Sequence, residues 1–270
     1  MASAIKAVVS DLDGTFWWGH QQMHATTLPA VLELRARGVP VLFATGRRYA
    51  SARRGLAPLG LAGPAVLMSG AVGADLATGV EWLRQSFTPE WGLAVLEAFR
   101  AEALEPVVYV CDAEVDALAG PGCATNTVHL ATLEDDTPTD PLPFITAGRV
   151  IGFGICGIDT AHVPATGRIA TGIAGLAQAW EGPDHVMGGW SLMVGPPTVS
   201  KVDGIRAWCA RQDIAPADVI AVGDGSNDVE MLDWAGTSVA VTGGAADAHG
   251  SDHLIPTPQD GGWARLLELC

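Results

Sequence analysis

Apolar residues follow two rhythms along the chain. Residues 5–10, "IKAVVS", are rich in branched apolar side chains and stop at Asp11. A short unbroken run of this kind predicts a parallel strand buried on both faces. Residues 25–37 then space Leu28, Val31, Leu32 and Leu34 at helical intervals, and Gly38 is placed to end that helix. "VPVLFATGR" predicts a second strand that ends on Thr45, Gly46 and Arg47, a helix follows over about 48–58, and "PAVLMSG" predicts a third strand. Alternating strands and helices predict a parallel sheet with right-handed crossovers.

The rhythm changes after about residue 82. A helix is expected over 88–103, a strand over 106–111, and a loop in the Pro/Thr/Asp-rich "EDDTPTDPLP". "RVIGFGICGI" reads as a strand, "TGIAGLAQAW" as a helix and "HVMGGWSLMV" as a strand. From about 201 the first rhythm returns. "KVDGIRAWCARQ" is helical, "DVIAVGDGSND" is a strand running into an acidic loop, "VEMLDWAG" is a short helix, "SVAVT" a strand and "DGGWARLLELC" a closing helix. The expected architecture is α/β. Residues 1–82 and 193–270 build one doubly wound, Rossmann-like parallel sheet core, and residues 83–192 form an inserted α+β domain.

Composition narrows the function. At 270 residues, with 49% hydrophobic and 17% charged residues, the chain has ample material for a packed core. A net charge of −15 argues against binding nucleic acid or an anionic membrane, since both depend on Lys and Arg meeting phosphates. A small phosphorylated ligand stays open, because a bound divalent cation can reverse the local field. The five cysteines are scattered, with no Cys-x-x-Cys pair, which points to reduced thiols and a cytoplasmic location. The seven histidines form no His-x-x-x-His pair, so a zinc site is not expected. The opening "MASAIKAVVSDLDG" lacks the apolar stretch of a signal peptide, and no run is long enough to span a bilayer.

Four polar clusters stand where strands end or a helix begins: Asp11/Asp13, Thr45/Gly46, Lys201, and Asp224 to Asp228. In an open parallel sheet such positions meet at one rim, near the point where strand order reverses. Carboxylates as close as Asp11 and Asp13 repel each other unless a cation sits nearby, and Mg²⁺ suits an all-oxygen donor set. "GDGSND" at 223–228 adds a second acidic strand end, and two of them point to a shared metal. Thr45 and Gly46 offer a hydroxyl and an N–H to phosphate oxygens. Lys201 opens a helix, where a cation opposes the macrodipole, and this suggests a task such as neutralising an anion. Taken singly, each cluster also suits an ordinary turn, a helix cap or a solvated lysine.

The order Asp11-Leu12-Asp13-Gly14-Thr15, Thr45-Gly46-Arg47, Lys201, Gly223-Asp224-Gly225-Ser226-Asn227-Asp228 resembles the haloacid dehalogenase superfamily of phosphatases. The insertion between the second and third motifs is similar, in position and size, to the type IIB cap of the Cof-type sugar phosphatases. The resemblance implies a Mg²⁺-dependent phosphomonoesterase acting on a small phosphorylated metabolite, a sugar phosphate being the favoured kind. Asp11 would be the nucleophile that forms an aspartyl-phosphate, and Asp13 the general acid/base. Asp11 and Asp224 would hold Mg²⁺ directly, with Asp228 as a further ligand or an outer partner and Asp13 contributing its backbone carbonyl. Thr45, Gly46 and Lys201 would bind phosphoryl oxygens, and Asn227 would orient Lys201 or touch the phosphate. Residues 83–192 would set substrate specificity. The alternatives are a phosphomutase built from the same motifs and a non-catalytic metabolite sensor; nothing indicates an oligomeric state. The chain departs from the family pattern at the bulky Phe16-Trp17-Trp18, at Ser69 and at Gly244.

Overall fold

The computed structural model describes residues 5–111, 115–133, 139–184 and 187–270. The chain begins with β1 (Ala7–Ser10), α1 (Thr27–Ala36), β2 (Val41–Ala44), α2 (Tyr49–Leu56), β3 (Pro64–Leu67), β4 (Val72–Asp75) and β5 (Glu81–Arg84). Next come α3 (Pro89–Ala101), β6 (Val107–Val110), β7 (Ala117–Ala119), α4 (Thr127–Leu130), α5 (Leu142–Thr146), β8 (Val150–Ile158), α6 (Val163–Gly172), β9 (Gln178–Pro183) and β10 (Trp190–Gly195). The chain closes with α7 (Lys201–Arg211), β11 (Val219–Gly223), α8 (Val229–Trp234), β12 (Thr237–Val241) and β13 (His253–Ile255). Two compact units result. One comprises Met1–Arg47, Ala52–Leu83 and Ser200–Cys270, and the other Arg48–Ser51 and Arg84–Val199.

The first unit is built on a sheet of order β13-β12-β11-β1-β2-β3-β4-β5. The strands from β13 to β3 run parallel, and β4 is antiparallel to β3, so the sheet is mixed rather than wholly parallel. Chain order turns around at β1, which pairs with β2 on one side and β11 on the other. Ligands of such sheets gather beyond the C-terminal end of that switch point, and Asp11 directly follows β1. Successive residues of β1 feed two separate cores. Ala7 and Val9 pack with Val202, Ile205 and Trp208 of α7 and with Met231 and Leu232 of α8. On the other face Ser10 accepts a hydrogen bond from Trp263 Nε1 at 2.9 Å. Phe16 meets both Phe43 and Trp263 edge-on there, with ring centroids 5.0 and 5.4 Å apart. Burial on both faces is why β1 and its neighbours read as continuous apolar runs.

The second unit carries an antiparallel sheet of order β7-β6-β8-β10-β9. Val95, Leu96 and Phe99 of α3 pack with Phe153 and Ile155 of β8, Ile169 of α6 and Leu192 of β10. A polar knot is buried in the same unit. Thr125 donates its hydroxyl proton to the Cys156 carbonyl at 3.0 Å. It must therefore accept from His129 Nδ1–H at 2.8 Å, which leaves His129 Nε2 to accept from the Tyr109 hydroxyl at 3.2 Å.

Several sequence expectations need correction. "TGIAGLAQAW" is not a helix. α6 begins earlier, with Pro164 in its first turn, and ends at Gly172; Gly175 follows at φ +85°, and residues 178–183 form β9, paired with β10. Strand pairing outweighs helical spacing here. "PAVLMSG" stops being a strand at Leu67, because Met68 and Ser69 turn left-handed at φ 48° and 53°. The closing segment Gly262–Glu268 is a 3₁₀ helix rather than an α-helix. Of the loop "EDDTPTDPLP", residues 134–138 lie outside the described residues, and from Leu142 the chain is helical. His185 and Val186 of "HVMGGWSLMV" and the first four residues of the N-terminal stretch also lie outside them. Among the described residues, no helix is long and apolar enough to cross a membrane.

Candidate active site

Three strand ends, of β1, β2 and β11, and the start of α7 deliver polar groups to the same rim of the first unit. Asp11 leaves β1 with its N–H donated to the Val222 carbonyl of β11 at 3.0 Å, so the two acidic strand ends are stitched together. Lys201, the first residue of α7, is only 2% exposed. Its ammonium donates to Asp11 Oδ1 and to Asp228 Oδ1, each at 2.6 Å. Asp228 is 1% exposed, and its other oxygen accepts the N–H groups of Asp224 at 3.1 Å and Gly225 at 2.8 Å. Thr15 donates to Asp224 Oδ1 at 2.7 Å. Asp11, Asp224 and Asp228 each offer a carboxylate oxygen within 4.8 Å of the others. Residues more than two hundred positions apart thus form one cluster, and Lys201 is a buried ion-pair partner rather than a solvated surface lysine.

The cluster carries more negative than positive charge. Burial by itself would lower the Lys201 ammonium, but its contacts with Asp11 and Asp228 overcome that and hold it above its usual range. Burial pushes Asp11 well above the ordinary carboxylate value, and the neighbouring Asp228, Asp224 and Asp13 add to the rise against the opposing pull of Lys201. Asp224 is pushed up to about 6, mainly by burial, with Asp228 contributing and the Thr15 hydrogen bond opposing. One ammonium does not balance three packed carboxylates. A hard divalent cation with oxygen ligands would, so the donor set fits Mg²⁺.

Close packing fixes the loops around this cluster. Gly14 has φ +92°, and a Cβ there would sit 2.3 Å from Asp224 Oδ2. Thr45 receives Arg47 N–H on its hydroxyl at 3.1 Å and Ser69 N–H on its carbonyl at 3.0 Å. A Cβ on Gly46 would come no nearer than 3.5 Å to its nearest neighbour, Ser69 Oγ. Gly70, at φ +113°, lies so near the start of α7 that a Cβ would meet the Ser200 carbonyl oxygen at 1.9 Å. The turn at 68–70 therefore links the Thr45 loop to Lys201.

Two expected site residues stand apart from the cluster. Asn227 is exposed, and its side chain lies against Gly225; among the described residues no hydrogen bond joins it to Lys201. The Asp13 carboxylate is held elsewhere. Arg47 donates to both of its oxygens at 2.6 Å, and Trp17 Nε1 donates to Oδ1 at 2.9 Å. Sequence reasoning assigned no role to Thr15, Trp17 or Arg47. The available signal was the bulky Phe16-Trp17-Trp18 directly after the first acidic motif. Phe16 and Trp17 prove fully buried, and Trp17 presents its N–H to the carboxylate.

A family model described as haloacid dehalogenase-like hydrolase matches residues 8–114 and 185–267. A phosphoglycolate phosphatase of Methanopyrus kandleri is 26% identical over 233 residues, covering 86% of this chain and 82% of the relative. Two solved structures share the fold at this sequence distance. A haloacid dehalogenase-like hydrolase of B. subtilis has a TM-score of 0.75 at 18% identity, covering 98% of this chain and 99% of its own. A HAD subclass IIB sugar phosphatase has a TM-score of 0.77 at 18% identity, covering 98% of both chains.

Proposed function

The chain belongs to the haloacid dehalogenase-like hydrolase family, and on that premise we propose that it is a Cof-type phosphatase, a Mg²⁺-dependent phosphomonoester hydrolase of a small phosphorylated metabolite. The observation that carries the proposal is the buried Lys201 ammonium, 2.6 Å from both Asp11 and Asp228, beside a third carboxylate at the switch point of the sheet. Asp11 is the nucleophile. Its carboxylate attacks phosphorus, the ester P–O bond breaks, and an aspartyl-phosphate forms. Asp13 protonates the departing alkoxide and then takes a proton from the water that hydrolyses the acyl phosphate.

Lys201, the Thr45 hydroxyl and the Gly46 N–H hold phosphoryl oxygens, whose charge is spread in the transition state. We assign Asn227, exposed beside Gly225, to the phosphate. Asp11, Asp224, Asp228 and the Asp13 carbonyl are the groups that would hold Mg²⁺. When bound, the ion would neutralise phosphoryl charge and relieve the repulsion among the carboxylates. We assign choice of substrate to the inserted domain, residues 83–192, and take the cytoplasm as the compartment, which the five cysteine thiols support.

Two substrate classes are supported. The fold shared with a sugar phosphatase favours a sugar phosphate, and the Methanopyrus relative adds phosphoglycolate. A phosphate-release screen over sugar phosphates and phosphorylated hydroxy acids, with and without Mg²⁺, tests the proposal. Mg²⁺-dependent release of free phosphate is expected. Conversion to an isomer without free phosphate would instead identify a mutase, and binding without turnover a sensor.

A further inference from the structure

Beside the acidic cluster, donors converge on one carboxylate from two directions. Asp13 Oδ1 accepts from Trp17 Nε1 at 2.9 Å and from Arg47 Nη2 at 2.6 Å, while Oδ2 accepts from Arg47 Nε at 2.6 Å. A carboxylate has about four acceptor positions, two on each oxygen. Oδ1 is filled, and Oδ2 keeps one position.

The donors are themselves held. Trp17 is fully buried. Its ring lies edge-on to Phe16 with centroids 5.6 Å apart, and it packs so closely on α2 that a Cβ at Gly55 would meet it at 2.7 Å. Its backbone belongs to the same tight loop as Asp13, since Gly14 N–H donates to the Trp17 carbonyl at 2.9 Å and Trp17 N–H to the Leu12 carbonyl at 3.0 Å. The Arg47 guanidinium lies over the Trp17 ring, 5.1 Å from its centroid. Trp17 thus supports Arg47 from below and reads Asp13 from the side.

We propose that Trp17 and Arg47 are positioning residues that lock the Asp13 carboxylate so that Oδ2 alone is presented to the leaving group. This rests on the assignment of Asp13 as general acid/base. In the proton step the Oδ2–H bond breaks and an O–H bond forms on the ester oxygen, which keeps the electron pair of the breaking P–O bond. Without the Trp17 N–H, Oδ1 and Oδ2 become near-equivalent and the carboxyl plane is free to turn. The cost falls on the chemical step, because an acid that turns stays beside the substrate but points wrongly.

The test compares the Mg²⁺-loaded wild type with Trp17→Phe, Asp13→Asn and the double variant. Each is assayed on an alkyl phosphomonoester and on p-nitrophenyl phosphate, whose leaving group needs no proton. Phe keeps a ring beneath Arg47 and removes only the N–H and part of the volume. Trp17→Phe is expected to lower kcat on the alkyl ester by about tenfold or more, with KM within about twofold and a much smaller loss on the nitrophenyl ester. The double variant should lose no more than Asp13→Asn alone, since one residue acts through the other. Equal losses from Trp17→Phe on both esters, or losses that add in the double variant, would overturn the inference while leaving the reaction assignment intact. Equal losses from Asp13→Asn on both esters would remove the acid/base assignment itself, and this inference with it. If Trp17→Phe does not fold, Arg47→Gln removes the clamp without opening the core and is read in the same way.

Discussion

Single methyl groups decide much of the geometry around the carboxylates. Gly14 combines φ +92° with a Cβ position 2.3 Å from Asp224 Oδ2. Alanine there would meet a left-handed backbone penalty of about 1–2 kcal/mol and would also displace a proposed metal ligand. Gly14→Ala is expected to lower the melting temperature and to raise the Mg²⁺ concentration needed for half-maximal phosphate release. A variant with a lower melting temperature but wild-type Mg²⁺ dependence would show that Gly14 serves only the turn. Gly244 has a similar constraint without the strain: a Cβ would sit 2.5 Å from the Asp224 carbonyl oxygen. The departure from the family pattern at that position has a steric reason in this chain. The carboxylates and Lys201 were legible because four motifs stand in order at strand ends and a helix start, although each alone suits an ordinary turn, cap or surface lysine. Arg47 and Trp17 were not assigned, because a bidentate clamp needs two side chains to converge in space, and spacing along the chain does not show that.

At the level of elements, the inserted sheet depends on a histidine kept neutral. His129, in α4, is held near about 4, first by burial and then by the Arg48 guanidinium, with Asp184 opposing. Its Nε2 accepts from Tyr109, so a proton there would set two donors against each other. The native value lies below the ordinary value of 6.5, so the unfolded chain takes up the proton first as pH falls. The stability His129 supports is complete above pH 6.5 and is lost as pH drops through about 4. The full effect is on the order of 3 kcal/mol. The unfolding free energies of wild type and His129→Gln should differ by a constant amount above neutrality, and that difference should shrink through this window. A pH-independent difference would contradict the role given to His129.

Elements were readable where burial and periodicity agree, as in β1, β2, β11 and α7. They were misread where pairing decides. β9 owes its conformation to β10, and nothing in "TGIAGLAQAW" records that partner. The short strands β4, β5, β7 and β13 were missed as well, since they lack the continuous apolar run that marks β1 and β2.

Across the whole molecule, unbalanced negative charge outweighs every other feature. The chain carries −15, and three carboxylates share one ammonium at the switch point. A cation that binds the folded cluster and not the unfolded chain stabilises the fold by mass action, about 2.7 kcal/mol at a hundred times its dissociation constant. Mg²⁺ should therefore raise the melting temperature more than NaCl of matched ionic strength, and Asp224→Asn should abolish the excess. An equal rise with both salts would reduce the effect to screening of the net charge.

In the proposed reaction Asp11 carries the phosphoryl group during turnover. The most direct measurement quenches the Mg²⁺-loaded enzyme while it is turning over a phosphomonoester, reduces any acyl phosphate with borohydride, and maps the modified peptide by mass spectrometry. Conversion of Asp11 to homoserine is expected, dependent on both substrate and Mg²⁺, with Asp13, Asp224 and Asp228 unchanged. Full phosphate release with Asp11 unmodified at every quench time, or reduction at another carboxylate, would contradict it.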